Sequence, residues 1–174
     1  MKKALLCAAC LLASPALAEN ASGFYLGGDI SSFDVEFTGA PVEGDGNAFG
    51  AHFGYRYALS DATFVEGEAF AAKLNGDTNT GNTDFDAYYG LTAGFGAYFT
   101  DQAYALVFGG LARSKTDNVF VGSQTGRGHV LGLGIGYDFK ENQSIALRFS
   151  RATFDGAVGD VDNDVIGVRY SYRF

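Results

Sequence analysis

The chain has two histidines, His52 and His129, and an imidazole is the side chain best placed to do acid–base chemistry near neutral pH. Nucleophilic hydrolysis needs such an imidazole within hydrogen-bond reach of a serine hydroxyl and of an orienting carboxylate. His52 sits among Gly50, Phe53 and Gly54, and His129 follows Gly126-Arg127-Gly128, so neither has a serine at near spacing. Both read as ordinary wall or rim residues, and no catalytic residue is expected. The run Gly159-Asp160-Val161-Asp162-Asn163-Asp164 alternates carboxylates as calcium loops do. It lacks the glycine at the sixth position and the bidentate glutamate at the twelfth, so it reads as a solvated acidic loop and no metal is expected. Gly132, Gly134 and Gly136 imitate a phosphate-binding loop in composition only. Their strict alternation instead leaves one strand face bare, with room for tyrosine or arginine from neighbouring walls. No cofactor is expected. What remains is a dispersed set of charges, Asp29, Arg56, Glu66, Glu68, Asp86, Asp138, Arg148, Arg169 and Arg173, whose chemistry depends on the elements that bring them together.

Those elements are strands. Of 174 residues, 25 are Gly, 16 Phe and 10 Tyr; aromatics reach 15% and charged residues only 18%. Disordered chains are poor in aromatics, and Gly with β-prone rings weakens helices. A net charge of −8 argues against nucleic-acid binding, which needs a cationic face. Period-two alternation over about ten residues recurs along the chain. The second strand sets Phe49, Ala51, Phe53, Tyr55 and Tyr57 against Gly50, His52, Gly54 and Arg56. The fourth sets Phe85, Ala87, Tyr89, Leu91, Ala93, Phe95, Ala97 and Phe99 against Asp86, Tyr88, Gly90, Thr92, Gly94 and Gly96. The sixth sets Leu131, Leu133, Ile135, Tyr137 and Phe139 against the three glycines and Asp138. The seventh and eighth turn Ile145, Leu147, Phe149, Ile166, Val168, Tyr170, Tyr172 and Phe174 one way, and Arg148, Arg169 and Arg173 the other. The first strand, Phe24 to Phe33, directs Phe24, Leu26 and Ile30 outward and Tyr25, Asp29 and Ser31 inward; the third, Thr63 to Leu74, carries Glu66 and Glu68 on one face. The fifth, Ala103 to Ser114, is apolar on both faces, and Tyr104, Leu106 and Phe108 are assigned outward.

Short turns at Ser60-Asp61-Ala62, Thr100-Asp101-Gln102 and Lys140 to Gln143 alternate with longer loops at Asp34–Gly46, Asn75–Thr83, Lys115–Thr125 and Gly156–Asn163. This is the connectivity of eight antiparallel strands with both chain ends on the short-turn side. The aromatic face is too large for the inside of a small soluble barrel, while Gly, Ser, Asp, Glu and Arg suit a narrow lumen. The inverted arrangement, apolar outside and polar inside, is an all-β, eight-stranded up-and-down transmembrane barrel. Strands of about ten tilted residues span a bilayer, and closure pairs every backbone group in lipid. A soluble ligand-binding barrel is the alternative; it needs a large apolar interior, and the Gly-x-Trp opening of lipocalins is absent because there is no Trp.

The N-terminus reads as an address. Met1-Lys2-Lys3, an apolar run from Ala4 to Ala13, and Ser14-Pro15-Ala16-Leu17-Ala18 form the three parts of a secretory signal, with cleavage after Ala18. Residues 1–18 are the expected signal peptide and 19–174 the barrel domain. Cys7 and Cys10 both lie in the signal, so the exported chain holds no disulfide, and loss of Lys2 and Lys3 takes its charge to −10 (10 basic, 20 acidic).

The whole exported segment resembles the small eight-stranded outer-membrane proteins of Gram-negative bacteria, the OmpA-like and OmpX-like porin-family barrels. The residues that carry the resemblance are the signal ending at Ala18, Gly23-Phe-Tyr-Leu-Gly-Gly28, and the terminal Val168-Arg-Tyr-Ser-Tyr-Arg-Phe174. The resemblance implies that Val168, Tyr170, Tyr172 and Phe174 are read by the barrel-assembly machinery, and that outer-membrane lipid and lipopolysaccharide surround a monomer. The periplasmic domain of full-length OmpA-type proteins is not expected, since the chain stops at Phe174. In such a barrel the inward charges pair across the lumen, because dry ions are costly unless paired. A non-enzymatic structural and surface role is favoured, with the lumen plugged by these charges and the loops, of about ten residues, available for adhesion or host contact. A narrow ion-conducting channel and, third, a lipid-modifying enzyme are the alternatives.

Overall fold

The computed structural model describes residues 22–37, 43–79, 83–118, 122–155 and 161–174; the segment read as a signal peptide, 1–18, lies outside them. Eight strands follow in order: β1 (Gly23–Phe37), β2 (Glu43–Ser60), β3 (Thr63–Thr78), β4 (Thr83–Tyr98), β5 (Ala103–Asn118), β6 (Gly122–Lys140), β7 (Gln143–Asp155) and β8 (Val161–Arg173). Each pairs antiparallel with its sequence neighbours, and β1 pairs with β8 from Tyr25↔Arg173 to Phe37↔Val161, closing the barrel. Closure removes both sheet edges, which hydrocarbon could not solvate. The Phe174 amide donates to the Phe24 carbonyl at 2.9 Å, so the two ends of the described barrel meet on the short-turn side.

The lipid-facing set is as expected on six strands and over the rest of β4. Phe24, Leu26, Ile30, Phe49, Phe53, Leu91, Leu131, Leu133, Leu147 and Val168 are all exposed, against buried His52, Arg56, Glu66 and Glu68. At the short-turn end Tyr55, Tyr57, Tyr137, Phe139, Tyr170 and Phe174 are likewise exposed, and Phe24 stacks on Phe53 at 5.7 Å, making an aromatic girdle.

Two assignments are corrected. Tyr104, Leu106 and Phe108 face inward, at 3%, 2% and 8% exposure, while Val107 and Leu111 face out. β5 is apolar on both faces, so its own periodicity has no direction; the bare face of β6 decides it. Register places Tyr104 opposite Gly136, Leu106 opposite Gly134 and Phe108 opposite Gly132. The Tyr104 and Phe108 rings occupy the space a Cβ would take at Gly136 and Gly132, so the three glycines leave the room the sequence suggested. The second correction is at the start of β4. A bulge between Phe85 and Ala87 shifts the register, so Phe85 turns in and packs edge-on to Phe33, 5.4 Å away, while Asp86 turns out.

The strands also run 13 to 19 residues, well past what a membrane needs, because segments read as loops continue the ladders. In these extensions the faces exchange polarity. Asp34, Glu36, Glu43, Asp45, Lys73 and Asp77 point outward, whereas Phe33, Val35, Leu74, Phe85, Val130 and Phe154 pack inside one buried apolar cluster. The loop-side half of the lumen is thus filled largely as a soluble barrel would be, and the charged lumen residues are confined to the short-turn half.

Candidate functional site

Register assembles the charges. Arg56 on β2 lies directly opposite Glu66 on β3, and Asp29 on β1 directly opposite Arg169 on β8. Arg148 projects from β7, four strands from β3 in a ring of eight and therefore on the opposite wall. It spans the lumen: its Nη2 donates to Glu66 Oε1 at 2.7 Å and its Nη1 to Glu68 Oε1 at 3.3 Å. Arg56 donates to Glu66 Oε2 through Nε at 3.3 Å and Nη2 at 3.1 Å. Arg169 bonds Glu68 and reaches Asp29 Oδ1 at 3.4 Å. Tyr25 donates to the other oxygen of Glu68 at 3.1 Å. Arg56 also donates to the Tyr98 hydroxyl at 3.2 Å, Tyr98 donates to Asp138 at 2.5 Å, and Arg173 reaches Asp138 at 3.4 Å.

The structure brings eight of the nine inward charges named from the sequence together in the lumen, all but Asp86. Four guanidiniums (Arg56, Arg148, Arg169, Arg173) meet four carboxylates (Asp29, Glu66, Glu68, Asp138), so the lumen set is neutral. Aromatic faces seat the cations: Arg56 lies 3.8 Å from the Phe64 ring centroid and Arg148 4.9 Å from that of Phe108. Asp86 is the exception. The β4 bulge carries it to the outer face, where Lys115 Nζ donates to its Oδ2 at 2.9 Å and holds the carboxyl below its ordinary range.

The network separates two small cavities. The loop-side one, of about 70 Å³, has Asp29, Glu68, Arg148 and Arg169 for a floor and Phe70 and Tyr88 among its walls. The other, of about 20 Å³, lies beside Asn142, Gln143 and Ser144 at the short turns. Each has room for one or a few waters. Arg148 and Arg169 border both.

One constellation escaped the sequence. His52 Nε2 lies 2.8 Å from Ser171 Oγ, and His52 Nδ1 lies 3.5 Å from Asp29 Oδ1. Ser171 is 119 residues away in the chain, but Gly27 is the register partner of both residues. With no Cβ on Gly27, the imidazole lies across β1; a Cβ there would come within 2.7 Å of its Cε1 and Nε2. A glycine flanked by two inward polar residues in adjacent registers is the signal that could have found it. The connectivity is that of a nucleophile–base–acid relay. Its acid, however, is shared with the Arg169 cation, which opposes the imidazolium such a relay must form. His129 is exposed on the outer face of β6. Asp162 accepts from Thr153 at 2.7 Å and Asp164 pairs with Arg151, so the two described carboxylates of the acidic run are engaged by protein groups; among the described residues no cluster of metal-ligating side chains forms. Val168, Tyr170, Tyr172 and Phe174 lie along β8 to the end of the chain, with the Tyr172 and Phe174 rings in edge contact at 5.2 Å.

Comparison with known proteins agrees with this geometry. A family model described as outer membrane protein beta-barrel domain matches residues 4–174. The crystal structure of Neisserial surface protein A is similar, with a TM-score of 0.62 at 15% identity, covering 89% of this chain and 100% of that one. That of Ail, the attachment invasion locus protein of Yersinia pestis, in complex with the heparin analogue sucrose octasulfate, gives 0.57 at 22% identity, covering 88% and 97%. At these identities the likeness is one of fold. No curated protein sequence matches the chain.

Proposed function

The chain belongs to the outer membrane protein β-barrel domain family, and we propose that it serves the bacterial outer membrane as a closed, non-enzymatic structural barrel, exported by its first 18 residues. One observation carries the closed reading: Arg148 bridges to Glu66 and Glu68 from the opposite wall. The lumen charges cancel and hydrogen-bond one another, and apolar side chains fill the lumen above them. A conducting pathway needs continuous water, and the ion-pair layer stands between the two small cavities of about 70 and 20 Å³. The protein works as a monomer on this reading, with Val168, Tyr170, Tyr172 and Phe174 recognised by the assembly machinery during insertion.

Planar-bilayer reconstitution of the intact barrel tests it. The expected trace is flat; sustained single-channel steps would assign the narrow-channel role instead. The non-enzymatic part is tested on Ser171. A fluorophosphonate probe should leave it unlabelled, because the carboxylate that would orient His52 is already engaged by Arg169. Stoichiometric labelling lost in Ser171→Ala would reverse that conclusion.

A further inference from the structure

Arg113 on β5 and Arg127 on β6 are direct register partners, and both are exposed on the outer face. Like charges placed directly opposite destabilise a ladder. Among the described residues, neither guanidinium makes a hydrogen bond or ion pair. Lys115 is two residues beyond Arg113, and Lys73 shares the Lys115 row through Ala87. The nearby carboxylates are Asp155, the register partner of Arg127 on β7, Asp86, held by Lys115, and the register partners Asp84 and Asp117 beyond Lys115. At the pair itself two guanidiniums face a single carboxylate, Asp155, and the acidic residues Asp84 and Asp117 lie farther toward the loops.

Its height on the barrel indicates what it meets. The register row below holds Leu91, Leu111 and His129, with Leu131 below that; Leu111, Leu131 and Leu91 are 71%, 69% and 65% exposed, on the lipid-facing surface. Arg113 and Arg127 thus stand where the apolar band ends on the loop side, beside Tyr89. That is the depth of lipid headgroups. Two forked guanidiniums are suited to a phosphate oxygen set, and a phosphate between them would turn a repulsive pair into an attractive one.

We propose that Arg113 and Arg127 clamp the phosphate of a phosphorylated outer-leaflet lipid whose acyl chains lie over Leu91, Leu111 and Leu131. The site rests on the membrane placement of the barrel and not on its closed lumen, so the two readings fail separately.

The test titrates the folded barrel in detergent with bisphosphorylated lipid A, with dephosphorylated lipid A, and with inorganic pyrophosphate. Each cation facing an anionic headgroup should contribute about five-fold in affinity, so Arg113→Gln and Arg127→Gln should each weaken lipid A binding about five-fold and the double variant about 25-fold. Lys140→Gln, at a short turn on the far side, should leave it unchanged. Equal binding of the dephosphorylated lipid, an unaltered double variant, or competition by pyrophosphate at the lipid's own concentration would each overturn the lipid clamp. Stability provides a second readout. In lipid-free detergent Arg127→Gln should leave the unfolding midpoint unchanged or raise it, whereas in lipid A-containing bilayers it should lower it. A drop in both would mean that the guanidinium serves the protein rather than a lipid.

Discussion

Arg148→Ala is the substitution that most directly probes the closed lumen. The guanidinium it removes donates to Glu66 at 2.7 Å and to Glu68 at 3.3 Å, and lies against the Phe108 ring. Neither carboxylate is left alone: Glu66 keeps Arg56, and Glu68 keeps Arg169 and Tyr25. Removing one partner of a buried pair costs about 3–5 kcal/mol when the remaining ion is stranded, and the retained partners place this case at about 3 kcal/mol. Two further effects follow from position. The lumen goes from four cations against four anions to a net negative charge. The cavities of about 70 and 20 Å³, which share Arg148 as a wall, merge through the vacated space. The variant should therefore unfold at lower urea, read from the heat-modifiable gel shift because the chain has no Trp to report fluorescence. In bilayers it should show small cation-selective steps where the parent shows none. A double-mutant cycle with Glu66→Gln should return a coupling of about 1–3 kcal/mol. Parent-like unfolding together with a flat trace would refute the view that this bridge both holds and seals the lumen.

Two further outcomes can be stated briefly. Gly27→Ala puts a methyl group against the His52 ring and the Tyr170 carbonyl, so it should destabilise the barrel by about 1–3 kcal/mol and release the His52–Ser171 bond, seen as a changed imidazole signal by NMR; an unshifted signal would contradict the packing argument. Lys115→Gln should return the Asp86 carboxyl upward to the ordinary carboxylate range. Because the paired carboxyl titrates below its unfolded value, its contribution is present above that value and is lost as pH falls through the folded one; a side-chain NMR titration identical in both proteins would disprove the pairing.

How much of this was readable from sequence depended on whether a strand's two faces differ. β2, β6 and β8 each oppose rings or branched side chains to Gly, Arg or Ser, and their facing follows from alternation alone. β5 carries Tyr104, Leu106 and Phe108 against Ala105, Val107 and Leu111, so its direction is set by volume on the neighbouring strand and not by its own pattern. Asp86 was misplaced for a different reason. A bulge is one extra residue in a register, and nothing in Asp84-Phe85-Asp86-Ala87 marks it until β5 is laid alongside. The His52–Ser171 contact was hidden by chain separation, since only closure of β1 on β8 brings the last strand beside the second.

The exchange of polarity between the two halves explains why one strand can satisfy two solvents. On β2 the outward apolar run from Phe49 to Leu59 covers ten residue steps, which at about 3.3 Å per residue and about 40° of tilt gives a height of about 25 Å, that of a bilayer's apolar band. Below Phe49, in hydrocarbon, burying apolar side chains in the lumen gains nothing over leaving them in lipid, so stability inside must come from ion pairs and ring stacks such as Phe64 against Tyr104. Beyond it, from Asn47 to Glu43, the outside is water, and the hydrophobic effect again rewards apolar filling: Ala48 on β2, with Phe33, Leu74 and Phe85 on neighbouring walls. The position at which inward residues change from Asp29 to Phe33 on β1, and from Arg148 to Phe154 on β7, is therefore the protein's own record of where its membrane ends. Arg113 and Arg127 stand at that level on the outer surface, where a lipid phosphate would be.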